Sequence, residues 1–371
     1  MDSVREALKA KVDKILQEGI ENGVFPGASI IVGSSDKVIY HTAMGYACVD
    51  PERVAIKEDT IFDVASLTKP LATALAVMRL VHEKVLSLDD SLGDLIGGKV
   101  THDKEGLTIR QLLAHTAGLP AWRPFFREIG YVGREGKEII RRKVLETPLE
   151  YTPGTKVTYS DLGYILIEWA VEVVSGMSLP RFVFQYFYKP LGLKRTFFQE
   201  IDKPMSFAPK EFAATEKCPW RGRVIRGIVH DENAYAMGGV SGHAGLFSTA
   251  GEVFKLCAAL LAHYYGKRSD LIEPSVVREF FTRQKDPEGN TWALGWDTPC
   301  PEGSAVGSSF SRNSVGHLGF TGTSVWMDLD KDTIVVFLTN RVHPTRHNNK
   351  IKTFRPYLHD SVANCLKGFS A

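Results

Sequence analysis

The apolar pattern of this chain changes period twice, and that limits the folds open to it. Near the start, "GASIIVGSSDKVIYHTAMGYA" reads as two strands around a Gly-Ser-Ser-Asp turn. From 66 to about 265 the apolar residues fall mainly at helical spacing, as in the stripe Leu71, Leu75, Met78, Val81 and Val85. "TIRQLLAHTAGLP" opens at a Thr N-cap and stops at Gly118 and Pro120. "SDLGYILIEWAVEVVSG" opens at Ser160 and Asp161 and ends at Gly176, and "STAGEVFKLCAALLAHYYG" runs from Ser248 to Gly266. The C-terminal part returns to short strands, "TWALGWDT", "NSVGHLGF", "GTSVWMDLD" and "DTIVVFLTN", before a helix over 354–367. Strands at both ends with helices between predict an α+β architecture, with one sheet built from both terminal segments and a mainly helical insert. The expected division is a single domain over 1–371, with 1–65 and 266–371 as the sheet part and 66–265 as the helical part. Residues 200–240 have little periodicity and are expected to form a long ordered loop.

Composition narrows the function. A net charge of +2 gives no reason to expect nucleic acid or an acidic membrane as partner. The five cysteines are scattered without a C-x-x-C pair, which argues against a disulfide framework or a structural zinc site. The opening helix is charged throughout, with an amphipathic stripe at Val4, Leu8, Val12, Ile15 and Leu16, and it has no signal-peptide core. No apolar run is long enough to span a bilayer. The expected location is the cytoplasm, or the periplasm or cell exterior where a leader has been removed.

Three stretches carry chemistry. In "FDVASLTKPLAT", Ser66 and Lys69 are three apart, so on a helix they share a face. A lysine held in a dry site is easier to deprotonate and can then serve a serine as base. Taken alone, the stretch reads first as a helix cap with a solvated lysine; Ser34 and Lys37 repeat the spacing in a hairpin turn. In "VTYSDLGY", Tyr159, Ser160 and Asp161 sit at a loop-to-helix junction. Tyr159 is either core packing or a proton carrier whose phenolate Lys69 favours. In "VGHLGFTGTSVWMDLD", glycines at 316, 319 and 322 interrupt a strand, a sign of close approach by a backbone or ligand.

In this order the three stretches resemble the S-x-x-K, Y-x-N and K-T-G motifs of the serine β-lactamase and penicillin-binding-protein superfamily. They are most similar to its class C-like branch, which includes D-alanyl-D-alanine carboxypeptidases, D-aminopeptidases and family VIII carboxylesterases. "LTIRQLLAHTAGLP", "YTPGTKVTYSDLGYILI" and "GGVSGHAGLFSTAGEVFKL" extend the resemblance over nearly the whole chain. It implies a β-lactamase/transpeptidase-like fold with an antiparallel sheet. It also implies Ser66 as acylated nucleophile, Lys69 as its base and Tyr159 as proton shuttle. The backbone N–H groups of Ser66 and Phe320 would form the oxyanion hole. Asp161, His317, Gly319 and His243 are candidate substrate contacts. The partner is a small ester, amide or β-lactam, and no cofactor or metal is implied.

The departures from the motifs shape the expected activity. Asp161 stands where Asn is usual, which tightens a salt bridge to Lys69 and makes the free amine scarcer. His317 replaces a charged Lys, and Leu318 replaces the Thr hydroxyl. A substrate carboxylate is then held less firmly at this motif, so the expectation is a serine hydrolase with weak or no specialised β-lactamase activity. A D-Ala-D-Ala carboxypeptidase and a non-catalytic penicillin-recognising or cell-wall-binding protein are the alternatives. An α/β-hydrolase triad needs G-x-S-x-G, and "GVSGH" at 239–243 fails at its last position. The cluster His230, Asp231, Glu232, Asn233 and His243 reads first as a hydrogen-bonded cleft wall, then as a substrate contact, then as a metal site. Trp122, Phe125 and Phe126 offer an apolar wall, and "HPTRH" at 343–347 reads as a solvated loop.

Overall fold

The computed structural model describes residues 2–130 and 132–367, and in it the strand-rich ends of the chain meet in one sheet. The strands in chain order are Gly27–Gly33 (β1), Val38–Cys48 (β2), Val54–Ala55 (β3), Phe62–Asp63 (β4), Phe197–Phe198 (β5), Lys217–Cys218 (β6), Arg223–Val224 (β7), Leu246–Ser248 (β8), Ser314–Leu318 (β9), Ser324–Asp328 (β10) and Thr333–Thr339 (β11). The main sheet runs β3-β2-β1-β11-β10-β9, antiparallel throughout. Its centre joins the two ends of the chain, with Ile30 opposite Phe337 and Val32 opposite Val335. Every residue of β1 and β11 is buried. Both faces of these strands are covered, which is why they read as apolar runs rather than as alternation.

One face packs on Asp2–Glu21 (α1) through Leu8, Val12 and Leu16, joined by Leu358 and Val362 of the last helix, Ile351–Lys367. Against the other face lies Ala250–Tyr264, capped at Thr249, whose side chain accepts the Glu252 N–H. This helix belongs to the insert by sequence, yet it packs on β1 and β11. The remaining helices fill the space beside the sheet. The longest of them, Asp161–Ser175, begins at the Ser160 cap and ends at Gly176 in the left-handed conformation, as its sequence predicts. Among the described residues, no single helix is long and apolar enough to cross a membrane.

Some expectations fail for local reasons. "TWALGWDT" is not a strand: Trp292 and Asp297 make only isolated bridges, and Gly295 between them turns the chain at φ +85°. A Cβ at Gly295 would lie 2.6 Å from Ala74 Cβ. The helix in "TIRQLLAHTAGLP" spans only Ile109–Leu113. Residues 200–240 include the hairpin β6-β7 and the helical turn Glu232–Ala236, besides loop. His343 is buried rather than solvated, bridging the Val49 N–H and the Thr215 carbonyl.

Candidate active site

The chain enters the site from β4, which pairs with β8 outside the main sheet. Ala65 then takes φ +49°, a conformation costly for a residue with a Cβ. Asp63 holds it there by accepting the Ala65 N–H at 2.9 Å, and its other oxygen accepts the His230 N–H. Ser66 follows immediately, and Lys69–Ala74 is wound as a π-helical turn, a feature frequent at functional sites.

Lys69 is fully buried. Its ammonium donates to Ser66 Oγ at 3.2 Å, Asp161 Oδ1 at 2.6 Å and the His243 carbonyl at 3.3 Å. Burial alone would favour the free amine. Asp161 and Tyr159 outweigh it and hold the Lys69 pKa above the usual lysine value. Asp161 thus overrides the tendency of a dry site to free the amine, and the free amine is scarce. The Lys69 nitrogen lies 4.7 Å from the Tyr159 ring centroid. Burial raises the Tyr159 pKa more than Lys69 lowers it, so the resting group is a phenol and not the expected phenolate.

Tyr159 is positioned by a residue to which the sequence reading gave no role. His115 accepts the Ser160 N–H at Nδ1, 3.0 Å away, and its carbonyl accepts the Thr158 N–H. Its ring packs 4.7 Å from Tyr159 and 4.5 Å from Trp292. Burial, then Lys69 and His317, push its pKa well below the ordinary histidine value, which keeps Nδ1 an acceptor. Nothing in the local sequence marked His115, because the partners of its ring lie more than forty residues on.

The glycine-spaced strand β9 is the edge of the main sheet. Beyond it the chain turns, and Thr321 Oγ1 and Thr323 Oγ1 donate to the carbonyls of Asp63 and Val64. This straps the turn to the segment that carries Ser66. A Cβ at Gly319 would lie 2.0 Å from Thr323 Oγ1 and 2.5 Å from the Val64 carbonyl oxygen, so any side chain there must push the turn or the Ser66 segment aside. Gly319→Val is expected to keep the fold while lowering kcat/KM for a small ester about 100-fold, since small misplacements of reacting groups are costly. Steady-state kinetics beside a thermal melt checks this, and a folded, fully active variant would refute it. Among the described residues, the backbone N–H groups of Ser66 and Phe320 donate to no protein acceptor.

His317 donates Nδ1–H to the Leu318 carbonyl at 2.8 Å, and Nε2 is buried without a partner among the described residues. Burial and Lys69 bring its pKa down to about 3, so it is neutral at physiological pH. His243 is not a cavity contact. It is 1% exposed, with Nε2 3.0 Å from Asp231 Oδ1 and Nδ1 2.7 Å from Ser241 Oγ. The Ser241-His243-Asp231 chain has the residue types of a catalytic triad, but Ser241 is fully buried. His230 pairs with Glu216, Glu232 with Arg346, and Asn233 accepts the Phe126 N–H. The whole cluster is thus engaged in holding the wall.

Ser66, Tyr159, Asp161, His317, Gly319 and Phe320 line a cavity of about 610 Å³. Of the three aromatics in the 120s, only Trp122 reaches it; Phe125 and Phe126 are buried. Trp292 and Asp297 also line it, and burial pushes the Asp297 carboxyl up to about 7.

A family model described as Beta-lactamase matches residues 12–355. A curated relative from Salmonella agona (strain SL483), named "Putative D-alanyl-D-alanine carboxypeptidase", is 33% identical over 92% of this chain and 84% of its own length. A relative of the same name from Escherichia coli O157:H7 is 34% identical, over 90% and 82%. Among solved structures, "EstCE1, a hydrolase with promiscuous acyltransferase activity" superposes with a TM-score of 0.76 at 21% identity, over 97% of this chain and 99% of its own. The octameric penicillin-binding protein homologue from Pyrococcus abyssi gives 0.72 at 22% identity, over 97% and 77%.

Proposed function

The chain belongs to the beta-lactamase family and is a serine hydrolase, and from that premise we propose that it works through an acyl-enzyme at Ser66. The observation that carries the proposal is the buried contact between Ser66 Oγ and Lys69 Nζ at the floor of the cavity.

In this reading the fraction of Lys69 present as free amine takes the Ser66 proton as Oγ attacks the substrate carbonyl. The oxygen that becomes negative is met by the N–H groups of Ser66 and Phe320, which stabilise charge present only in the tetrahedral state. Tyr159 gives its proton to the departing oxygen or nitrogen while taking one from Lys69. A water then releases the acyl group by the reverse sequence.

The substrates are esters or amides, with slow turnover of β-lactams. The support is His317, which is neutral where the family motif has a charged lysine, and Leu318, which has no hydroxyl. The carboxypeptidase reading is favoured by the names of the curated relatives.

A covalent test decides the mechanism. The protein is incubated with a fluorophosphonate and with a fluorescent penicillin, and the adduct is located by mass spectrometry. An adduct at Ser66 is expected with the fluorophosphonate. Labelling at Ser241 or Ser248 instead, or none at all, would overturn the proposal. A short nitrophenyl ester is expected to turn over faster than a chromogenic cephalosporin, and release of D-alanine from a D-Ala-D-Ala peptide would favour the carboxypeptidase reading.

A further inference from the structure

Asp63 is a carboxylate in a place that disfavours one. It is 3% exposed, and its two oxygens accept from the backbone: the Ala65 N–H reaches Oδ1 at 2.9 Å and the His230 N–H reaches Oδ2 at 2.6 Å. Burying a charge is costly unless it is well bonded. Burial raises the Asp63 pKa above the ordinary aspartate value, and the two N–H groups oppose that rise. Each oxygen serves a different segment of the chain, so the side chain acts as a tie between them. Asparagine has the same shape but one acceptor oxygen. It can satisfy only one of the two N–H groups and turns its own N–H toward the other.

The segments it joins lead to the two proposed oxyanion donors. On one side Oδ1 holds Ala65 at φ +49°, and the next residue is Ser66. On the other, Oδ2 holds the backbone of His230, whose ring lies over Phe320 with centroids 5.6 Å apart and planes 23° from parallel. The Asp63 carbonyl takes part as well, accepting Thr321 Oγ1–H at 2.8 Å, one residue beyond Phe320. Each donor N–H therefore sits one residue from a group bonded to Asp63. Phe320 is 49% exposed, so burial does not fix it. Its place depends on these contacts and on Arg341, which donates to its carbonyl.

We propose that Asp63 is a positioning residue for the oxyanion hole, holding the Ser66 and Phe320 N–H groups at the separation that the tetrahedral intermediate requires. The inference rests on the acyl-enzyme reading and gives a role to a residue outside the three motifs. Donors fixed in advance stabilise the developing charge because they need not move when it appears. Loosening the tie therefore falls chiefly on kcat, and only on reactions in which an oxygen takes the charge.

The test compares Asp63→Asn with the wild type on p-nitrophenyl butyrate and on its thiono analogue, in which a sulfur that accepts hydrogen bonds poorly replaces the carbonyl oxygen. On the oxygen ester the variant is expected to lose roughly 10- to 100-fold in kcat, with KM within about twofold. On the thionoester it is expected to lose less, so the ratio of the two rates falls. A merely structural role would lower both alike. Thr321→Val, which removes the hydroxyl bonded to the Asp63 carbonyl, is expected to lower kcat and the ratio in the same sense, and Thr321→Ser to restore them. Where Asp63→Asn does not fold, the Thr321 pair decides by the same criteria. An unchanged kcat in the folded variant, or an equal fall on both esters, overturns the inference, while a Ser66 adduct leaves the acyl-enzyme reading standing. Absence of any ester turnover in the wild type together with absence of a Ser66 adduct overturns both.

Discussion

Replacing Ser66 by alanine is expected to lower ester turnover roughly 10⁴-fold or more, the scale seen when a nucleophile is removed from a catalytic unit. The loss should fall on kcat, since the cavity walls and the oxyanion donors remain. The fold should be nearly unaffected. Ser66 Oγ contacts the side chains of Lys69 and Tyr159, and Lys69 keeps Asp161 and the His243 carbonyl when the hydroxyl is gone. A stability change within about 0.5 kcal/mol is expected for so small a deletion. The experiment pairs steady-state hydrolysis of p-nitrophenyl butyrate with a denaturation curve. Retained turnover in a folded Ser66→Ala protein would sink the mechanism, because among the described residues no other serine lines the cavity: Ser241 has a basic partner, His243, but is sealed from it.

The second large effect is a displaced pH profile in Asp161→Asn. Lys69 has a folded-state pKa above the usual lysine value, so at neutral pH it is an ammonium and only a small fraction can act as base. Activity should therefore climb with pH on the alkaline side until Lys69 loses its proton. The largest influence on Lys69 is burial, which lowers its pKa; Asp161 is the first of the groups that raise it. Removing the carboxylate leaves burial less opposed. The alkaline limb of kcat/KM is then expected to move to lower pH, and activity at pH 7 to rise or hold. Stability follows the same linkage. A group whose pKa is raised by folding stabilises the fold below its unfolded value and loses that contribution as pH rises through the folded value. The wild type should accordingly lose part of its stability at strongly alkaline pH, and Asp161→Asn should lose less. A pH–rate profile for both proteins, with melts across the same range, reads these outcomes. An Asn variant with an unmoved limb would show that Lys69 is not the titrating base.

The same residues show what could be read from the sequence. Ser160 and Gly176 announced the helix that carries Asp161, because capping chemistry is local and both ends obey it. The joining of the two strand-rich ends was legible because β1 and β11 are apolar at nearly every position. The order of the three motifs indicated the site and the Asp161–Lys69 salt bridge, ninety-two positions apart, but the state of Tyr159 did not follow from them, since the burial that keeps it a phenol is fixed only by the fold. His115 was invisible for the same reason. His243 misled because residue type cannot say which way a ring faces, and here Asp231 and Ser241 turn it inward. The strand expected in "TWALGWDT" fails because Gly295, inside it, reverses the chain.

The pairing of β1 with β11 also sets a timetable. Gly33 and Ile334 are partners in register, so on the ribosome β1 emerges long before its neighbour exists. At roughly 5–20 residues per second the delay is roughly 15–60 s. Through that interval the nascent chain holds an apolar strand with one edge unmatched, an invitation to holding chaperones and to aggregation. The wall that overhangs Ser66 is delayed in the same way, because the turn that grips Val64 comes from residues 319–323. On the acyl-enzyme reading the hydrolase is therefore mute while it is being made: the proposed nucleophile, Ser66, is synthesised early, and the turn that straps its segment is among the last parts made.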